Sequence, residues 1–113
     1  MSLDIYLELD CCEHCGRSDE GYWSNITHNL GTMAANAGFY EQLWHPERNG
    51  IKTANDLINP LREGIAKLES NPAFFNTFNA SNGWGTYDQF LPWLIDLLDA
   101  CEESPNAHIR VSI

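Results

Sequence analysis

Three stretches of this chain place polar donors next to aromatic rings, and they are where its residues could do chemistry. Asn25-Ile-Thr-His-Asn-Leu30 sets His28 among the side chains of Asn25, Thr27 and Asn29. If a helix opens there, its first N–H groups would favour an anion such as a phosphate or carboxylate. Plain capping is the competing reading. Asn82-Gly-Trp-Gly-Thr-Tyr87 brackets an aromatic with Gly83 and Gly85, which permit backbone conformations and close approaches closed to other residues. Trp84 or Tyr87 could stack on a base while loop N–H groups meet a phosphate; otherwise Trp84 plugs the core. Trp44, His45 and Lys52 would join the same surface if the loops converge. The candidate ligand-binding set is therefore Asn25, Thr27, His28, Asn29, Trp44, Lys52, Asn82, Gly83, Trp84, Gly85 and Tyr87.

A fourth cluster has metal-ligand character. Cys12-Glu-His-Cys15 is a C-x-x-C, with Cys11 before it and His14 inside it. Structural zinc takes four ligands, usually as two such pairs, and no second pair exists here. The expectation is an incidental hairpin cluster and no bound cofactor, with zinc at Cys11, Cys12, His14 and Cys15 as the less favoured alternative. A thioredoxin-type role lacks its βαβ setting. No G-x-S-x-G and no H-E-x-x-H occurs. The chain shows no recognisable catalytic machinery, so binding is expected rather than catalysis.

Charge narrows the partners. With 16 acidic against 6 basic residues, the net charge is −10. Neutralising an extended nucleic acid needs Lys and Arg, so that partner is excluded. An acidic surface serves solubility or docks on a basic protein, in the manner of a nucleic-acid mimic. Asp4 and Glu8 interrupt the N-terminal apolar pattern, and no run is long enough for a bilayer. A cytoplasmic protein without a membrane partner is expected.

The elements that must hold these residues can be read from periodicity. Residues 3–10 alternate, with Leu3, Ile5, Leu7 and Leu9 on one face, and predict a half-buried strand. Residues 11–20 read as a hairpin connection, and Tyr22 to Asn25 as a second, antiparallel strand. A helix is predicted from near Thr27, with Leu30, Met33, Ala34 and Ala37 as its stripe and Gly38 at C′. Phe39 to Trp44 gives a short helical turn, and His45 to Gly50 a loop. Thr53 and Asp56 have capping-box spacing before Leu57, Ile58, Leu61, Ile65 and Leu68. Pro60 predicts either a kink or a fresh start capped by Asn59. Pro72 ends that run, and Ala73 to Phe78 adds a turn.

After the loop from Asn79 to Gly85, Thr86 and Gln89 make another capping box. Phe90, Leu91, Leu94, Leu97, Leu98 and Cys101 then line one side of a helix that Pro92 should bend. His108 to Ile113 alternates again as a last strand beside the first. The expectation is one α+β domain over residues 1–113, a small antiparallel sheet of about three strands in the order β-β-α-α-α-β, covered on one face by helices.

Three patches taken together carry a resemblance: Asn25 to Leu30, Leu43-Trp44-His-Pro46 followed by Gly50-Ile-Lys-Thr53, and Asn82 to Tyr87. In this order, across nearly the whole chain, they resemble a family of small proteins encoded by tailed bacteriophages and prophages. The family carries a genomic setting and no assigned chemistry. That setting implies an accessory protein acting against a host pathway, by sequestering a small phosphorylated or nucleotide-like ligand. The alternatives are an acidic inhibitor of a host protein and a zinc-stabilised interaction module. A homo-oligomer with a pocket between subunits is a generic expectation for such proteins.

Overall fold

The computed structural model describes residues 2–9 and 19–113. Alternation in the first segment has the predicted result: Leu3, Ile5 and Leu7 are fully buried, on strand β1 (Ser2–Leu9). β1 is the centre of a three-stranded antiparallel sheet in the order β2-β1-β3, with β2 spanning Asp19–Thr27 and β3 His108–Ser112. The last strand therefore lies beside the first, as its matching alternation implied. β2 is longer at both ends than the Tyr22–Asn25 run, because pairing with β1 carries it from Leu9↔Asp19 to Ser2↔Thr27. A bulge falls where Leu7 faces Tyr22 and Glu8 faces Glu20.

The helical portion is divided more finely than three helices. A three-residue 3-10 turn, His28–Leu30, leads into α1 (Gly31–Ala37). Gly38 ends α1 in the left-handed region at φ 89°, where glycine carries no Cβ penalty. α2 (Tyr40–Trp44) follows. The segment expected as loop contains a 3-10 turn at Pro46–Asn49, whose proline pre-sets the first φ.

α3 (Ala54–Ser70) and α5 (Tyr87–Glu103) both start with full capping boxes, Thr53 with Asp56 and Thr86 with Gln89. α3 runs unbroken through Pro60, so no fresh start occurs at Asn59. Pro60 and Pro92 each leave one carbonyl, of Asp56 and Asp88, without its helical partner. Both residues are exposed, and water can serve those oxygens. Pro72 does more than end α3: it opens a further short helix, α4 (Pro72–Asn76).

The helices cover the sheet face that carries Leu3, Ile5 and Leu7, forming one core cluster with Phe39, Trp44, Phe90 and the α3 and α5 aliphatics. α3 and α5 meet around Phe39, which stacks on Phe90 at 5.9 Å between ring centres. Gly64 makes room for it, since a Cβ there would lie 2.2 Å from Phe39 Cδ1. No helix among the described residues covers the opposite sheet face. On it Tyr6 pairs with Trp23 on one side and Arg110 on the other, and the Arg110 guanidinium sits 4.0 Å above the Tyr6 ring. Arg110 also holds Glu8 at 2.8 Å. Among the described residues no helix is long and apolar enough to cross a membrane.

Candidate ligand-binding hollow

Two chain segments build one wall against the other. The turn at 27–30 leaves the end of β2 and is capped by Thr27, whose Oγ1 accepts the Asn29 N–H at 3.3 Å. The loop before α5 is shaped by Gly83 and Gly85 at φ 78° and 109°. Only Gly85 is also confined: a Cβ there would come within 3.0 Å of Asn29 Cβ and Thr27 Cγ2. The loop thus rests directly on the turn. Asn29 Nδ2 fastens the two by donating to the Trp84 carbonyl at 2.7 Å.

Between and beside these segments lies an open hollow of about 1670 Å³. That exceeds the roughly 300–1,000 Å³ of a typical ligand pocket, so a small ligand would fill only part of it. Asn25, Thr27, His28, Asn29, Trp44, Asn82, Gly83, Trp84 and Gly85 all line it. Trp84 is 71% exposed and presents its ring rather than entering the core. Trp44 is the reverse: 1% exposed, it is a core anchor that reaches the hollow from below. Its Nε1 donates to His28 Nδ1 at 2.9 Å, and Tyr40 stacks on its other side at 5.1 Å. Asn25 ties β2 to β1 by donating from Nδ2 to Ser2 Oγ and Asp4 Oδ1.

Two expected members lie elsewhere. Lys52 does not line the hollow. Its carbonyl accepts from Ile109 and its N–H donates to Asp56, so its segment runs along β3. Tyr87 is buried, and its hydroxyl donates to the Leu68 carbonyl at 2.8 Å, across to α3. Burial pushes its phenol above the ordinary tyrosine range, with the carboxylates of Glu69 and Asp88 adding to the shift. His45 stands edge-on to Tyr40 and is likewise outside the lining. Residues the sequence did not single out complete the walls: Ser2, Thr32, Tyr40, Gln89 and Trp93. Gln89 was visible as a cap, and Trp93 lies one turn further along the same helix face, which is the signal that could have found it.

The expected backbone cradle for phosphate is absent from this loop. The N–H groups of Gly83, Trp84, Gly85, Thr86 and Tyr87 are engaged by Ala80 O, Asn82 Oδ1, Gln89 Oε1 (twice) and Asn79 Oδ1. In the turn at 28–30 the Asn29 N–H is likewise engaged, by Thr27 Oγ1. Nor does any Lys or Arg among the described residues line the hollow. Its chemistry is amide, hydroxyl, imidazole and indole.

No family model, curated protein or solved structure matches this chain.

Among the described residues no group of three or more His, Cys, Asp or Glu could hold an ion. Cys101 is buried in α5, and burial, with the Glu102 charge behind it, pushes its thiol up to about 12. Such a thiol stays protonated at neutral pH. The cluster of Cys11, Cys12, His14 and Cys15 lies outside the described residues.

Proposed function

We propose that this protein binds a small, flat, nucleoside-like ligand in the hollow between the 27–30 turn and the 82–85 loop. The observation that carries the reading is convergence. Trp84, His28, Asn25, Asn29 and Asn82, scattered over the sequence, line one open cavity, and Trp84 keeps its ring exposed there. A large apolar side chain left this exposed offers a stacking platform, and base-on-aromatic stacking contributes about 1–3 kcal/mol per base.

The nucleotide-like ligand is recognised through its base and sugar. Any phosphate stays toward the open side in solvent, since neither the loop N–H groups nor a described cation is placed to hold it. The proposed role is sequestration rather than turnover. The resemblance to tailed-phage proteins supplies the setting, in which a host pathway is deprived of the ligand. Titration of the full chain with nucleosides and mononucleotides, followed by tryptophan fluorescence and calorimetry, tests the reading. Micromolar binding that weakens about tenfold or more in Trp84→Ala is expected. Absence of heat and quenching with every member of the panel would remove it.

A second reading rests on a different surface. Asp96, Asp99, Glu102 and Glu103 are exposed along the outer side of α5, and of these Glu102 pairs with Arg62 at 2.7 Å. A basic protein partner would meet that face. Its capture would weaken steeply with salt and with neutralisation of Asp96 and Asp99, while Trp84→Ala would leave it intact.

A further inference from the structure

The hydrogen bonds that build the hollow also decide which end of each polar side chain is left for a ligand. A backbone N–H can only donate. Asn82 therefore turns Oδ1 to Trp84 N at 3.0 Å, and Gln89 turns Oε1 to Gly85 N and Thr86 N at 3.2 and 3.4 Å. Their NH2 groups are the ends left over. An indole N–H likewise can only donate, so Trp44 makes Nδ1 the bare nitrogen of His28 and assigns the ring proton to Nε2. Trp93, in the same lining, has a buried Nε1–H with no partner among the described residues.

The opposite polarity is scarcer. A carbonyl or carboxylate oxygen can only accept, so Asn29 turns its NH2 to Trp84 O and Asn25 turns its own to Asp4. Those two residues leave Oδ1. The hydroxyls of Ser2, Thr32 and Tyr40 serve either way. Among side chains, His28, Asn82 and Gln89 as donors thus outnumber Asn25 and Asn29 as acceptors, the Trp93 N–H being too deeply buried to count, and no Asp, Glu, Lys or Arg stands in the described lining.

We infer that the hollow selects a planar heterocycle bearing ring carbonyl oxygens, of the pyrimidinedione or dioxopurine kind, over one bearing exocyclic amino groups. The inference rests on the hollow being a ligand site. Its physical basis is asymmetric: an amino group set against these donors leaves both sides unpaired once water is gone, which discriminates more strongly than a missing contact.

The test uses the full chain, calorimetry, and uridine and xanthosine against cytidine and adenosine. Asn82→Asp and Gln89→Glu are the informative variants. Each keeps the oxygen that holds the loop backbone and exchanges only the leftover NH2 for an oxygen, and Glu at this helix position preserves the capping box. Uridine and xanthosine are expected to bind at least about tenfold tighter than cytidine and adenosine, roughly the worth of one well-placed hydrogen bond. Each variant should lose about tenfold for uridine, gain for cytidine, and melt at the parent temperature. Equal binding of amino and oxo nucleosides, or uridine affinity indifferent to both variants, would overturn the donor assignment while leaving the ligand site standing. Binding of a neutral disaccharide in place of any heterocycle would overturn it too. If none of these probes binds, the ligand site itself falls, and the inference with it.

Discussion

The indole nitrogen of Trp44 lies 2.9 Å from Nδ1 of His28, joining a side chain in the deepest part of the core to one that faces the hollow. The bond makes the imidazole part of the fold. Trp44→Phe removes the donor and some ring volume together. A loss of about 1–3 kcal/mol in urea unfolding is expected from those two causes. The more telling measurement is the ring itself. Long-range proton–nitrogen spectra of the parent protein should show His28 as the Nε2–H tautomer, and those of Trp44→Phe a mixture. A parent spectrum with the proton on Nδ1 would contradict the bond.

Gly85 and Gly83 share a left-handed backbone yet should respond differently to alanine. At Gly83 nothing lies within 4 Å of the added methyl, so only the conformational penalty of about 1 kcal/mol applies. At Gly85 the methyl also meets Asn29 and Thr27 at 3.0 Å. Gly85→Ala should therefore cost about 2–3 kcal/mol and push the loop off the turn. Paired denaturation curves check the order. Equal losses would mean that the loop does not bear on the turn.

Asp56 titrates with the first turn of α3. The backbone N–H groups of Lys52 and Thr53 donate to its carboxylate, and these bonds hold it below the ordinary carboxylate range. The folded state therefore binds fewer protons than the unfolded one. The resulting stabilisation is complete above the unfolded value and disappears as pH falls through the lower, folded one. Asp56→Asn should be less stable than the parent at pH 7 by a few tenths of a kcal/mol, given its exposure. The gap should close in strong acid. Urea midpoints of both proteins from pH 7 to pH 2 would show it, and a constant gap would rule the carboxylate out.

These local devices are also what the sequence made legible. The capping boxes at Thr53 and Thr86, the C-terminal glycine at Gly38 and the alternation of β1 are each written within a few residues, and each formed as read. The α+β order followed from them. Pro60 was ambiguous because a proline's effect depends on whether its orphaned carbonyl can reach water, which is a tertiary matter. The hollow was legible in its loops and illegible in its edges. Tyr87 follows Thr86 directly, yet its helical phase turns it toward Leu68. Lys52 was drawn off by β3, a partner more than fifty positions away. The loop amides misled for a related reason. Asn82 read as a ligand contact, Gln89 as a cap and Asn79 as plain loop, and nothing in their spacing revealed that together they would occupy the N–H groups a phosphate would need.

The contrast between a strongly acidic chain and a lining that, among the described residues, has no lysine, arginine, aspartate or glutamate has a consequence for traffic through the hollow. A net charge of −10 surrounds the molecule with a repulsive field for anions, reaching about a Debye length, roughly 8 Å at physiological salt. Polyanions would be turned away before touching Trp84, whereas an uncharged visitor would arrive by ordinary diffusion, at a rate that added salt should scarcely change. The exterior would then act as a coarse sieve ahead of the finer choice made inside.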